Sequence, residues 1–145
     1  MINDKKHRTA IGRTTLSLPA RFLVANELLT GLVLDFGCGR GDDAKELGID
    51  KFDPFYYPQK PEQKAFDTVM VNYVANVLED DEIPEFLEDV RAVLKKGGKA
   101  YISVRRDVKK EGWTSKGTYQ RNVELDLPVV ETKSKGKYRM YLLQN

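Results

Sequence analysis

Two spacings of apolar residues alternate along this chain. The clearest is helical. Ile83, Phe86, Leu87, Val90, Val93 and Leu94 fall at i, i+3, i+4, i+7, i+10 and i+11. That stripe predicts a helix capped by Asp80 or Asp81 and ended by Gly97-Gly98, with Lys95 and Lys96 suiting its negative end. Ser17 as N-cap and Pro19 in the first turn start another helix, which carries Ala20, Leu23, Val24 and Leu28 and is closed by Gly31. A short helix is expected over residues 42–47, stopped by Gly48, and a helical turn over residues 73–78. Apolar runs too short for helices lie between these segments. Residues 32–34, 66–72 and 100–104 read as buried parallel strands, and residues 51–53 as a weak strand ended by Pro54. Residues 55–65, with Pro58 and Pro61, and residues 105–117 have no period and read as loops. Residues 129–133 and 137–143 flank Ser134-Lys135-Gly136 as a closing hairpin. Strand, helix, strand, strand, helix, strand is the order of an α/β protein with a mostly parallel sheet, to which the C-terminal hairpin adds an antiparallel edge.

The 145 residues suit one domain, 1–145, led by a basic arm over residues 1–16. At this size a chain buries roughly 68–70% of the surface it exposes unfolded. No disulfide can form within a chain whose only cysteine is Cys38, and with His7 the only histidine no zinc site is expected. No apolar run is long enough for a signal peptide or a membrane span, so a cytoplasmic protein without a membrane partner is expected. Charge is uneven. Residues 1–21 carry five Lys/Arg against one acid, residues 22–104 nine against sixteen, and residues 105–145 ten against five. Ordinary solvated surface accounts for this, as does an anionic substrate held where the basic ends meet, with the acidic middle facing elsewhere.

The strongest chemical signal is Asp35-Phe36-Gly37-Cys38-Gly39-Arg40-Gly41, placed where a strand turns into a helix. Open α/β sheets bind ligands at that edge. A dinucleotide loop needs G-x-G-x-x-G, and counting from Gly37 its third glycine falls on Asp42, an acid that repels phosphate. Asp53 ends the second strand eighteen residues beyond Asp35. Its carboxylate is placed either to accept from ribose hydroxyls or to form a turn before Pro54. Cys38 reads as a small packing residue in the loop.

The D-x-G-x-G-x-G run resembles the first motif of class I methyltransferases. The resemblance implies a shortened Rossmann-like sandwich, with no room between Asp53 and Phe66 for the usual helix and third strand. It also implies that S-adenosyl-L-methionine is bound by Asp35, Gly37, Cys38, Gly39, Gly41, Asp53, Pro54, Asn72 and Tyr73. Asn72-Tyr73-Val74 occupies the position of the Asn/Asp-Pro-Pro-aromatic motif of amine methylators but lacks its prolines, and no Pro-Cys nucleophile is present.

Five clusters are similar to the methyltransferases associated with DNA phosphorothioation systems. They comprise His7 to Ile11 with Arg13, Ser17 and Pro19; Asp35 to Asp42; Asp53 to Tyr56; Tyr73 to Asp80; and Gly117 to Gln120. Methyl transfer to an anionic acceptor, nucleic acid among the candidates, follows as the expected activity. His7 and Tyr73 are candidate bases, and Arg8, Arg13, Arg105 and Arg106 candidate anion grips, against plain solvated side chains as the alternative. A non-catalytic S-adenosylmethionine-binding protein, or a subunit needing a partner, is the rival reading.

Overall fold

The computed structural model describes residues 15–134 and 136–145. Six strands form one sheet: β1 (Val33–Phe36), β2 (Asp50–Phe52), β3 (Phe66–Asn72), β4 (Leu94–Arg105), β7 (Val129–Val130) and β8 (Tyr138–Gln144). Their order across the sheet is β2-β1-β3-β4-β8-β7. The first four are parallel, and β8 and β7 add the expected antiparallel pair. One connection of thirteen residues, 53–65, leads from β2 to β3 without a further strand or helix, so the sheet is shortened as expected.

Period-two alternation along β3 divides its side chains between two layers. Val69 and Val71 join Phe86, Val90 and Val93 of α3 (Ile83–Val93) on one face. Met70 joins Ala20 and Leu23 of α1 (Leu18–Ala25) on the other, against which Leu47 of α2 (Asp42–Leu47) also packs. Residues 121–127 cross the α3 face without regular structure, burying Val123 and Leu125.

Several boundaries differ from the expected ones. α1 stops at Ala25, well before Gly31, because the Asn26 side chain donates to Phe22 O at 2.9 Å and Glu27 takes a left-handed φ of 55°. A polar side chain that bonds the backbone locally competes with the helical ladder. Leu28 therefore lies beyond the helix. At α3, neither Asp80 nor Asp81 is the cap. A 3₁₀ turn, Asp80–Glu82, precedes the helix, and Glu79 and Glu82 form its reciprocal capping box. α3 then ends at Val93, so Lys95 and Lys96 follow the helix instead of closing it. Residues 95–98 bulge out of β4, between the register pairs Phe66↔Leu94 and Thr68↔Lys99. Asn145 staples the bulge, accepting from Gly97 N at 2.7 Å and donating to Gly98 O at 2.9 Å. Finally, the loop expected over residues 105–117 contains β5 (Gly112–Trp113), paired antiparallel with β6 (Tyr119–Gln120).

Candidate cofactor and substrate site

The parallel strands end on one edge of the sheet, and the chemistry-bearing residues gather there. β1 runs out through Phe36 into the glycine loop, whose Gly37, Gly39 and Gly41 have φ of 78°, 58° and 83°. This left-handed backbone is open to glycine at little cost. Gly37 is also closely covered, since a Cβ there would lie 2.3 Å from Val74 Cγ2.

The loop's amides are consumed within the chain. Gly37 N and Cys38 N both donate to Phe52 O, at 2.7 and 3.0 Å, and Gly41 N donates to Cys38 O at 3.0 Å. Gly39 N donates to Asp53 Oδ2 at 2.9 Å. These four N–H groups are not free to cradle a phosphate in the manner of a dinucleotide loop. Asp53 does more than end its strand. Its Oδ1 accepts from Phe55 N at 2.9 Å and Tyr56 N at 3.1 Å, so one carboxylate ties the turn after β2 to the glycine loop. The turn role and a ligand role are thus compatible, because a carboxylate has about four lone-pair sites. Pro54 and Phe55 are exposed beside it, with Phe55 edge-on to Tyr56 at 4.9 Å. The Tyr57 ring lies over Gly41, and its hydroxyl donates to Arg40 O at 3.1 Å.

Negative charge accumulates here, contrary to the expectation that the acidic middle faces elsewhere. Asp35 is buried beneath the loop. Burial first, then the neighbouring Asp43 and Asp53 carboxylates, hold its pKa well above the ordinary 3.8. Burial and the Asp35 and Asp53 charges likewise push the Cys38 thiol far up, so it stays protonated, with Sγ 3.6 Å from Gly39 O. Asp43 receives two donors from Ser17, the backbone N at 2.9 Å and Oγ at 2.6 Å. Ser17 Oγ also accepts from Asn72 Nδ2 at 3.4 Å. Ser17 caps α1 as expected, but its tie to α2 and β3 has no local signature in the sequence.

Asn72 and Tyr73 close the edge at the end of β3. Asn72 Oδ1 and Ser103 Oγ are buried and neither has a hydrogen-bond partner among the described residues; Asn72 and Ser103 are register partners on neighbouring strands. Tyr73 has a left-handed φ of 65° and donates its N–H to Ser103 O at 2.8 Å. A bulky residue in that conformation carries strain that concentrates at functional positions.

β4 delivers Arg105 and Arg106 to the same edge, beyond the Asn72↔Ser103 pair. Both are engaged inside the chain. Arg105 Nε donates to Asp107 Oδ1 at 2.9 Å and its Nη1 to Gln120 Oε1 at 2.6 Å. Arg106 Nη1 reaches Glu124 Oε1 at 3.4 Å. Asn76, not singled out from sequence, organises this side. Its Oδ1 accepts from Arg105 N at 2.7 Å, and its Nδ2 donates to Arg105 O at 3.2 Å and Arg121 O at 2.7 Å. Only its place within the 73–80 cluster hinted at a role. His7, Arg8 and Arg13 lie outside the described residues.

A family profile described as a methyltransferase domain matches residues 7–127, most of the chain. The chain belongs to the methyltransferase-domain family. Solved methyltransferases share the domain's fold. The 1,6-didemethyltoxoflavin-N1-methyltransferase of Burkholderia thailandensis, solved with bound 1,6-didemethyltoxoflavin and S-adenosylhomocysteine, is 19% identical with a TM-score of 0.58, over 88% of this chain and 76% of that one. An S-adenosylmethionine-dependent methyltransferase from Mesorhizobium loti is 12% identical with a TM-score of 0.56, over 87% and 98%. One from Archaeoglobus fulgidus is 22% identical with a TM-score of 0.46, over 62% of this chain. This methyltransferase domain spans only 53% of the Archaeoglobus protein's length. A comparison with curated proteins returned no match. Among the described residues, no helix is long and apolar enough to cross a membrane.

Proposed function

We propose that this domain transfers a methyl group from S-adenosylmethionine to a nucleophile on an anionic acceptor. The observation that carries the cofactor is the crowding of Asp35, Asp43 and Asp53 around a glycine loop whose amides are already engaged. Such a site favours a cationic ligand and disfavours a pyrophosphate. The buried Asn72 Oδ1, with no hydrogen-bond partner among the described residues, offers a further acceptor for an ammonium group. The cofactor supplies an activated methyl on sulfur, which leaves as a neutral sulfide when the acceptor's nucleophile takes the carbon. The chain's contribution is orientation for in-line displacement. Asp53 would accept from ribose hydroxyls while holding the glycine loop. Tyr73, pinned to Ser103 O by its N–H, would line the reacting groups. Its hydroxyl or His7 would take the acceptor's proton.

The whole chain acting as one domain, a cytoplasmic setting and a nucleic-acid acceptor belong to this reading, as does the narrower kinship with phosphorothioation-associated methyltransferases. The last rests on the five sequence clusters alone. Calorimetry with S-adenosylmethionine, S-adenosylhomocysteine and NAD tests the cofactor. Binding of NAD alone would overturn it. Asp53→Ala should weaken S-adenosylmethionine by about tenfold or more, because one charge-assisted bond of about 1.5–3 kcal/mol exceeds the ~1.4 kcal/mol that makes a factor of ten. Asp53→Asn, which keeps an acceptor for Gly39 N, should lose less. Labelled methyl transfer into nucleic-acid and small-molecule pools identifies the acceptor. Tight cofactor binding with no transfer to any pool favours the non-catalytic rival.

A further inference from the structure

The basic segment after β4 folds into a hollow separate from the glycine loop. β5 and β6 curl the chain back over the end of β4 and form a half-open hollow of about 240 Å³. Arg105, Lys109, Lys110, Thr114, Thr118 and Gln120 line it. Ligand pockets for whole small molecules are usually larger, about 300–1,000 Å³, so this hollow suits one group of a ligand.

Its polar lining is rich in donors. Gln120 Oε1 already accepts from Arg105 Nη1. Thr114 and Thr118 share one hydrogen bond between their hydroxyls at 2.7 Å, which leaves the second hydroxyl hydrogen of the pair unassigned. Lys109 and Lys110 are exposed, and neither forms an ion pair with a described carboxylate. The two nearby acids are engaged elsewhere: Asp107 with Arg105, and Glu111 accepting from Asn122 Nδ2 at 3.2 Å. Two ammonium groups with no described carboxylate partner, and a hydroxyl hydrogen to spare, form the complement of an oxyanion. The hollow is also fixed relative to the donor edge. Arg105 at its floor is held through both backbone groups by Asn76, three residues after Tyr73.

We propose that this hollow anchors the methyl acceptor by an oxyanion group, a phosphate or a carboxylate, bound by Lys109, Lys110 and the Thr114–Thr118 hydroxyls. The word acceptor rests on the methyl-transfer reading; the anion site does not. It places recognition on the two lysines, with Arg105 as the fixed floor.

Trp113, the chain's only tryptophan, lies between the lining residues Gly112 and Thr114 and reports on the hollow by its fluorescence. The full chain is titrated with inorganic phosphate and with acetate, each against chloride at matched ionic strength. A saturable change with phosphate or acetate, absent with chloride, is expected. The stronger of the two identifies the oxyanion. The variant Lys109→Ala/Lys110→Ala should weaken that response by about tenfold or more, the effect of losing about 1.4 kcal/mol. The same variant should bind S-adenosylmethionine as the parent does by calorimetry. A response equal for chloride and both oxyanions, or one unchanged in the double variant, overturns the site. An anion response in a chain that fails to bind S-adenosylmethionine supports the site and removes the methyl-transfer reading instead.

Discussion

At one end of the sheet edge, β1, α2 and the end of β2 bring Asp35, Asp43 and Asp53 together around a glycine loop whose amides bond within the chain. At the other end, the connection from β4 to the short β5–β6 hairpin carries Lys109 and Lys110, both exposed. The first region buries its charge and fixes its backbone through contacts with β2 and the segment after β3. The second exposes its charge, and long side chains in water interact weakly and are screened by salt. Under the proposed reading the two ends do different work. Buried, crowded carboxylates discriminate strongly by charge and geometry, as a site for one defined cofactor requires. Exposed lysines around a shallow hollow add a modest, salt-sensitive preference, as suits choice among acceptors.

The sharpest way to break this contrast is at Gly37. Alanine there meets Val74 Cγ2 and must adopt φ near 78°. A left-handed residue costs about 1–2 kcal/mol and overpacking about 1–3 kcal/mol. Gly37→Ala should therefore lose about 2–5 kcal/mol in denaturant unfolding. Adding Val74→Ala should restore the overpacking part and leave the backbone part. A glycine loop that tolerates the single change without loss would not be the rigid element described above.

Asn76 tests the other end. It is buried, and its side chain joins Arg105 at the end of β4 to Arg121, just after β6. Asn76→Ala leaves buried backbone groups of Arg105 and Arg121 unpaired, at about 1–3 kcal/mol. Stability should fall by that amount and Trp113 emission should change, while S-adenosylmethionine affinity stays nearly intact. Equal damage to cofactor binding would mean that the two ends act as one unit.

The smallest expected effect is a slope. Because the Asp35 pKa is raised, the folded state holds more protons than the unfolded state from about the ordinary 3.8 up to the raised value. The stabilising contribution is complete below the ordinary value and declines as pH rises through that window. Thermal unfolding followed across pH should show this decline in the parent and flatten it in Asp35→Asn. A cationic ligand favours ionised Asp35, so its affinity should rise over the same pH range in the parent only. Identical pH profiles in parent and variant would remove Asp35 from the charge cluster.

What could be read along the chain was local. β3 at Phe66–Asn72 and α2 at Asp42–Leu47 follow from apolar runs and glycine stops only a few residues long, and both lie where the pattern puts them. The glycine loop was legible for the same reason, since its left-handed turns need glycine at Gly37, Gly39 and Gly41 whatever surrounds them. The end of α1 was misread because Asn26 and Glu27, not Gly31, terminate it by bonding back to Phe22 and Val24. The hairpin within residues 105–120 was missed because strands of two residues are too short to show a period.

The sequence by itself determined the α/β alternation, the edge that carries the chemistry and the preference for a cationic over a phosphate ligand. Each of these depends on residue types at short spacings. Only the tertiary structure decided that Asp53 holds the glycine loop, that Ser17 serves Asp43, that Asn76 fastens the end of β4 to the segment after β6, and that Arg105 and Arg106 are paired while Lys109 and Lys110 meet no described carboxylate. The physical reason is range. A hydrogen bond or ion pair between residues 14 to 55 positions apart, such as Gly39 with Asp53 or Ser17 with Asn72, leaves no periodic trace along the chain. It exists only once the sheet has brought the ends of its strands together.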